Sequence, residues 1–296
     1  MDGQKAAYAA AIISVILLGT SFAATKLGLA EMAPVTFALL RVFLASVIFL
    51  AWIYLGGNFA LLKKAFTKDW PVFMLAGLTG IALAYIFENI AIVFTPTSQV
   101  SLVLVTDTLL IALLAFLFLK EKITAKNLAG IFIGIAGVLL IIFHGYDPLS
   151  VLIPAGFAGS ILALFSSLAW AIYTILLKKK AEEYGPLIAT AASTMLGIPF
   201  LLIASLLLEG SPLSLPSSIN GALLLIYLSI FDSVLAFYLW TYALSCLKAS
   251  NVGAIVLLMP IVASVLGVAF FGEQITPPLA FGAALIFAGI YFAEKE

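Results

Sequence analysis

The sequence predicts an all-α integral membrane protein, with ten transmembrane helices arranged as two inverted five-helix repeats. Three observations predict it. The 296 residues are 64% hydrophobic and only 9% charged, where soluble domains carry roughly 25% charged residues. The apolar residues fall into ten continuous stretches, most of them long enough to cross a bilayer. The second half of the chain repeats the first at a constant offset.

A spanning helix needs about 20 apolar residues to cross about 30 Å of hydrocarbon. Ten stretches qualify as candidates: 6–27, 34–55, 71–93, 97–119, 127–144, 156–177, 186–208, 218–244, 249–271 and 277–293. The first lacks a small-residue cleavage site followed by a polar mature domain, so it reads as a retained helix and not a signal peptide. Breakers mark the connections: Gly56-Gly57, Thr95-Pro96, Pro148, Gly185-Pro186, Pro212, Pro216 and Pro277-Pro278. The stretches are continuously apolar, without the in–out alternation of a barrel strand, which selects helices. No connection is long enough to hold a soluble domain.

A shift of 152 residues superimposes the halves without a gap over most of their length. It brings Ser14 onto Ser166, Lys26 onto Lys178, Glu31 onto Glu183 and Pro34 onto Pro186. Ala84 meets Ala236, Ser98 meets Ser250, Glu121-Lys122-Ile123-Thr124 meets Glu273-Gln274-Ile275-Thr276, and Gly130 and Gly137 meet Gly282 and Gly289. The expected units are residues 1–150 and 151–296. Five helices per unit is an odd number, so the second copy enters the membrane from the opposite side. Inverted repeats are how many carriers build two access states around a midplane site.

Lysine placement sets the expected orientation. With ten helices both termini share one face. That face carries Lys5, Lys63, Lys64, Lys68, Lys120, Lys122, Lys126, Lys178, Lys179, Lys180, Lys248 and Lys295, whereas Lys26 alone lies near the other. Basic loops stay inside during insertion. The expectation is a multi-pass cell-membrane protein with both termini cytoplasmic. Trp52, Tyr54 and Trp70 sit where an interfacial aromatic belt belongs.

With these residues in view, the chain resembles the drug/metabolite transporter superfamily, and within it the ten-helix EamA-like exporters. The resemblance rests on Gly19-Thr20-Ser21-Phe22 with Lys26, on Pro34 followed by Leu39-Leu40-Arg41, on Ala169-Trp170-Ala171-Ile172-Tyr173, and on Met259-Pro260-Ile261 followed by Gly272-Glu273. It spans essentially the whole chain, as one EamA-like five-helix repeat in each half. The family usually has Trp where this chain has Leu18, and often Pro where it has Thr108. The second departure suggests that the helix carrying Thr108 is specialised. The resemblance implies a central cavity lined by the first four helices of each repeat, with the fifth of each as outer support. It also implies export of amino acids, other metabolites or drugs.

Intramembrane charges cost about 2.5–3.5 kcal/mol each on insertion scales and are functional candidates by default. Four stand out: Arg41, Glu88, Asp107 and Asp232. Arg41 lies about 10 Å below the end of its helix at 1.5 Å per residue, at a depth that matches Glu88. An Arg41–Glu88 ion pair is one expectation, as a gate or as a structural bridge; an arginine fork gripping a substrate carboxylate is another. Asp107 sits amid Thr97, Ser98, Gln99, Ser101, Thr106 and Thr108, polar all round, so that helix belongs inside the bundle or against water. A mid-bilayer carboxylate can exchange protons as it is hidden from or opened to water, which makes Asp107 and Glu88 the proton-coupling candidates. The bland reading is a fixed helix–helix hydrogen bond. Asp232 lies beside Ser229 and Ser233, with Gly80 as its repeat partner, and a structural role is equally in view.

Tyr85, Asn89, Gln99, Trp170, Tyr173, Tyr238, Trp240 and Asn251 are candidates for lining a cavity that takes an amphipathic solute, though packing explains any one of them. Lys26 and Lys178 occupy symmetric ends and suggest gate anchors, or lysines that simply snorkel. Pro199 and Pro260 fall inside helices and mark kinks, which serve as hinges or stay fixed. Gly130, Gly134 and Gly137 allow close helix approach, within a monomer or at a homodimer seam.

The expected activity is secondary transport of a small organic metabolite by alternating access, proton-coupled or exchange-driven, with membrane lipid as its solvent. A passive channel or facilitator is the alternative. An enzyme is not expected: the single His144 and single Cys246 offer no convergent nucleophile and base, and no phosphate-binding GxxxxGK[ST] loop occurs. No metal-ligand spacing or cofactor motif is present. Fourteen basic residues balance fourteen acidic ones, so no global field points to nucleic acid.

Overall fold

The computed structural model describes residues 2–119, 125–143, 155–210 and 215–294. Lys120, Glu121, Lys122, Ile123, Thr124, His144, Pro148, Pro212 and Lys295 lie outside them. Eleven helices follow one another among the described residues. They are α1 (Asp2–Gly28), α2 (Pro34–Leu55), α3 (Phe59–Lys68), α4 (Trp70–Phe94), α5 (Thr97–Leu119), α6 (Ala125–Phe143), α7 (Ala155–Tyr184), α8 (Pro186–Glu209), α9 (Ile219–Cys246), α10 (Ala249–Phe271) and α11 (Pro277–Glu294). Eight are long and apolar enough to cross a membrane, and α6 and α11 contribute shorter apolar helices. Ten of the eleven match the ten predicted stretches.

The extra helix is α3. It falls where the sequence suggested only a loop after Gly56-Gly57. Its Leu62 and Ala65 are buried, while Lys63, Lys64 and Lys68 point outward. A short helix with one apolar and one basic face lies along a membrane surface. Trp52, Tyr54 and Trp70 are exposed on the neighbouring helix ends, as an interfacial belt requires.

Contacts between the halves obey the repeat. The Ser14 hydroxyl on α1 donates to the Ala236 carbonyl on α9 at 2.8 Å, and Ser166 on α7 donates to the Ala84 carbonyl on α4 at 2.9 Å. Each donor and each acceptor is the 152-residue image of the other, so the two bonds exchange under a two-fold operation. The pair α6/α11 does the same. A Cβ on Gly137 would meet the Gly282 carbonyl at 2.6 Å, and one on Gly289 would meet the Gly130 carbonyl at 2.6 Å. The glycines predicted to permit close approach thus do so within the monomer, joining the last helix of each repeat.

Interruptions also recur at matching positions. π-Helical segments span Gly77–Leu83 in α4 and Leu228–Ala236 in α9. Such segments concentrate at functional sites. Helix α5 breaks at Val105, and α10 breaks between Ile255 and Leu258. In α10 the cause is Pro260, which lacks the donor for the preceding turn. In α5 no proline is present; Thr106 Oγ1 donates to the Val103 carbonyl instead, and Thr108 Oγ1 donates to the Gly253 carbonyl at 3.0 Å. A side-chain bond between the two broken helices holds the register that proline holds in the other repeat. Pro199 stays inside the continuous helix α8.

Candidate functional site

A cavity opens between α1, α4, α5, α7, α9 and α10, and the repeat axis runs through it. Its wall includes six pairs related by the 152-residue offset: Leu18/Trp170, Gly80/Asp232, Tyr85/Phe237, Glu88/Trp240, Leu104/Val256 and Asp107/Met259. The backbone scaffold is symmetric but the chemistry is not. In four of the pairs one member is polar and its image is not, and three of those four polar groups come from the first repeat. Its volume is about 50 Å³, room for a few waters at most. The helices must separate before an organic solute fits.

Asp232 sits within the π-helical segment of α9, where the extra residue per turn carries it to the cavity. Its Oδ2 lies 3.0 Å from Arg41 Nη2 of α2 and accepts from the Tyr85 hydroxyl of α4 at 3.1 Å. Arg41 stacks its guanidinium over the Tyr85 ring at 3.9 Å, a cation–π contact in a dry setting. Both charged side chains are almost fully buried, at 1% and 3% exposed. Arg41 therefore pairs with Asp232. Among the described residues no Arg41–Glu88 ion pair forms, because α9 brings a carboxylate closer than α4 does. Asp232 Oδ1 and Trp240 Nε1 have no hydrogen-bond partner among the described residues.

Glu88 and Asp107 face the same cavity without a salt bridge among the described residues. The Asp107 Oδ1 lies 3.3 Å from Thr108 Oγ1. Three carboxylates thus line the cavity, and one of them, Asp232, pairs with Arg41. Aromatic rings cluster beside them: Trp170 lies within 5.0–5.8 Å of Phe237 and Trp240, and Tyr85 stacks on Phe237 at 5.8 Å.

Other sequence candidates lie away from the wall. Asn89 donates to the Pro34 carbonyl at 2.9 Å and Gln99 to Ser160 at 2.9 Å. Tyr173 is buried behind Trp170, against Gly80. Tyr238 packs at a tilt against Trp52, with ring centroids 4.9 Å apart, and Asn251 is exposed beside Tyr8. Sequence reasoning passed over Phe237 and Met259, although each is the repeat image of a residue it selected, Tyr85 and Asp107.

At the end of the bundle away from the termini, three glutamates cap helices remote in sequence. Glu209 of α8 accepts from the Val35 and Thr36 amides at the start of α2, at 2.7 and 2.8 Å. Glu31 accepts from the Ser218 amide before α9 at 3.0 Å. Glu273 accepts from the Thr97 and Ser98 amides at the start of α5, at 2.7 and 2.9 Å, and from Lys26 Nζ of α1 at 2.8 Å. These are anions on the positive ends of helix dipoles. Gly272, with φ +62°, ends α10 in a left-handed turn that sends Glu273 back toward α5. Burial works to raise the Glu273 carboxyl, but the hydrogen bonds from Lys26, Ser98 and Thr97 outweigh it and hold it down at about 2. Lys26 is thus an ion-paired anchor, with the Phe271 ring 4.6 Å from its Nζ.

A two-repeat membrane fold around a central cavity lined by three carboxylates is the architecture of a carrier. Comparison with known proteins is more particular. The model of the EamA-like transporter family matches residues 5–143 and again residues 157–294. An uncharacterized transporter of Archaeoglobus fulgidus is 29% identical over 286 residues, covering 96% of each chain. A probable amino-acid metabolite efflux pump of Salmonella typhimurium is 30% identical, covering 95% of this chain and 92% of its own. A crystal structure at 21% identity shares the fold, with a TM-score of 0.71 over 97% of each chain. The chain belongs to the EamA-like transporter family, within the drug/metabolite transporter superfamily.

Proposed function

We propose that the protein exports a small amphipathic organic metabolite, of the amino-acid or drug-like class, by proton-coupled alternating access. The observation that carries this reading is the cavity itself. It lies between helices of both halves, it is lined by repeat-related pairs and by three carboxylates, and Arg41 stands beside it, paired with Asp232. The aromatic cluster suits the apolar part of a solute and the carboxylates suit a protonated amine. The relative named as an amino-acid metabolite efflux pump supports the same class. Arg41 and Asp232 form the fixed electrostatic element. Glu88 and Asp107 carry the exchangeable protons, since neither must break an ion pair to take one up. With the lysine-rich face cytoplasmic, Lys26 and Glu273 close the outer end while the cavity is contracted.

Reconstituted protein in liposomes tests this. Flux of a mixture of labelled amino acids is measured with and without an imposed pH gradient. The gradient drives accumulation by the native protein. Asp107→Asn or Glu88→Gln abolishes gradient-driven accumulation and retains exchange of solute. A flux indifferent to the gradient and to both substitutions makes the protein a passive facilitator and overturns the coupled reading.

A further inference from the structure

A second cavity lies away from the central one. It is a lateral crevice of about 620 Å³ between α4, α5 and α7, near the membrane surface on the side of the termini. Its walls are aliphatic and aromatic, including Leu75, Phe118, Ile172 and Leu176, and two lysines, Lys179 and Lys180, stand at one end. The π-helical segment Ala115–Leu119 of α5 supplies Phe118, whose side chain is 65% exposed. A crevice with this lining, inside a chain that spans a membrane, has lipid as its neighbour.

We propose that this crevice binds one anionic phospholipid, with an acyl chain along the apolar walls and the phosphate at Lys179. Charge bookkeeping around the rim selects the headgroup. Lys180 is taken by Asp69 at 2.9 Å and Glu183 at 2.7 Å, and Lys178 by Glu182 at 2.7 Å. Lys68 sits 3.6 Å from Glu183. Among the described residues the local carboxylates are thereby engaged, and Lys179 makes no salt bridge. The surface helix α3 brings Lys64 close by: it lies 5.5 Å from the Tyr184 ring, which Lys180 also approaches at 5.6 Å. Basic pockets between transmembrane helices on this kind of face recruit acidic lipids, each lysine favouring the anion. A zwitterionic headgroup would leave the excess positive charge unmatched.

Native mass spectrometry of the full chain in detergent tests the assignment. Phosphatidylglycerol and phosphatidylcholine of identical acyl chains are added in equal amounts. The expected result is preferential retention of phosphatidylglycerol, by about fivefold per engaged lysine. Lys179→Gln, an exposed substitution that leaves the fold alone, removes the preference and leaves phosphatidylcholine retention unchanged. Ile172→Trp fills the crevice and lowers retention of both lipids. Equal retention of the two lipids by the native protein, a preference that survives Lys179→Gln, or a lipid-free dimer that covers α4 and α7 overturns the proposal. A failure here leaves the transport reading untouched, because its residues lie in the other cavity.

Discussion

Arg41 and Asp232 answer to different rules alone and together. A buried ion pair broken on one side leaves an uncompensated charge, which costs about 3–5 kcal/mol, whereas replacing both partners by apolar groups is often near neutral. Arg41→Met alone is therefore expected to lower the melting temperature in detergent strongly. Adding Asp232→Leu to it should recover most of the loss while transport stays absent. Melting curves of the three variants check this. The importance of both residues was legible in the sequence, because any charge at mid-bilayer depth announces itself. Their partnership was not. Depth matched Arg41 to Glu88, but depth says nothing about azimuth, and the π-helical segment of α9 turns Asp232 toward α2 in a way no periodicity count foresees. Tyr238 was left open for the same reason: an aromatic at the right height belongs equally to a cavity and to a lipid-facing belt, and the structure packs it against Trp52.

At the scale of elements, the helix caps dominate. Glu273 is expected to contribute stability only while ionised. Its ordinary value is 4.5 and its folded value about 2, so the contribution is complete above the ordinary value and is lost as pH falls from there through about 2. Melting temperatures measured across that window should fall for the native protein. In Glu273→Gln the fall should be shallower, since Glu31 and Asp69, also held below their usual range, still titrate. Gly267 supports the same contact from beneath, since a Cβ there would lie 2.5 Å from Glu273 Oε2. Gly267→Ala should displace the carboxylate and lower the melting temperature at neutral pH. The glycine pair of α6 and α11 is stricter, because backbone and not a flexible side chain stands opposite. Gly137→Ala is expected to cost about 1–3 kcal/mol as an overpacked contact, readable in the same melting assay. Helix existence was plain from hydropathy, which responds to bilayer thickness, but the ends were not. Helix α7 runs on to Tyr184, past the expected 177, because its last turns are charged and carry no hydropathy signal. The capping glutamates were not plain either, because each reaches a helix far away in sequence. Helix α3 was missed because ten residues of mixed character resemble a loop until a surface is placed beneath them.

The whole molecule is governed by its two-fold relation. The exchanged Ser14 and Ser166 bonds, the matched glycines and the matched π-helical segments all follow from one offset visible in the sequence. What broke the symmetry was also visible, residue by residue, once images were compared: the image of Glu88 is Trp240, and that of Asp107 is Met259. An inverted pair with an asymmetric lining is expected to rock about the axis, opening one end as the other closes. Coupling between the ends then requires that their distances change in opposite directions. Electron–electron distances between spin labels test this most directly, with the exposed Cys246 replaced by serine. Repeat-related label pairs sit at Ala30 and Pro96 at one end and at Glu182 and Lys248 at the other. On adding a transported solute or dropping the pH, the first distance should lengthen as the second shortens. Two distances that lengthen together, or that both stay fixed while solute is transported, would contradict alternating access between the repeats.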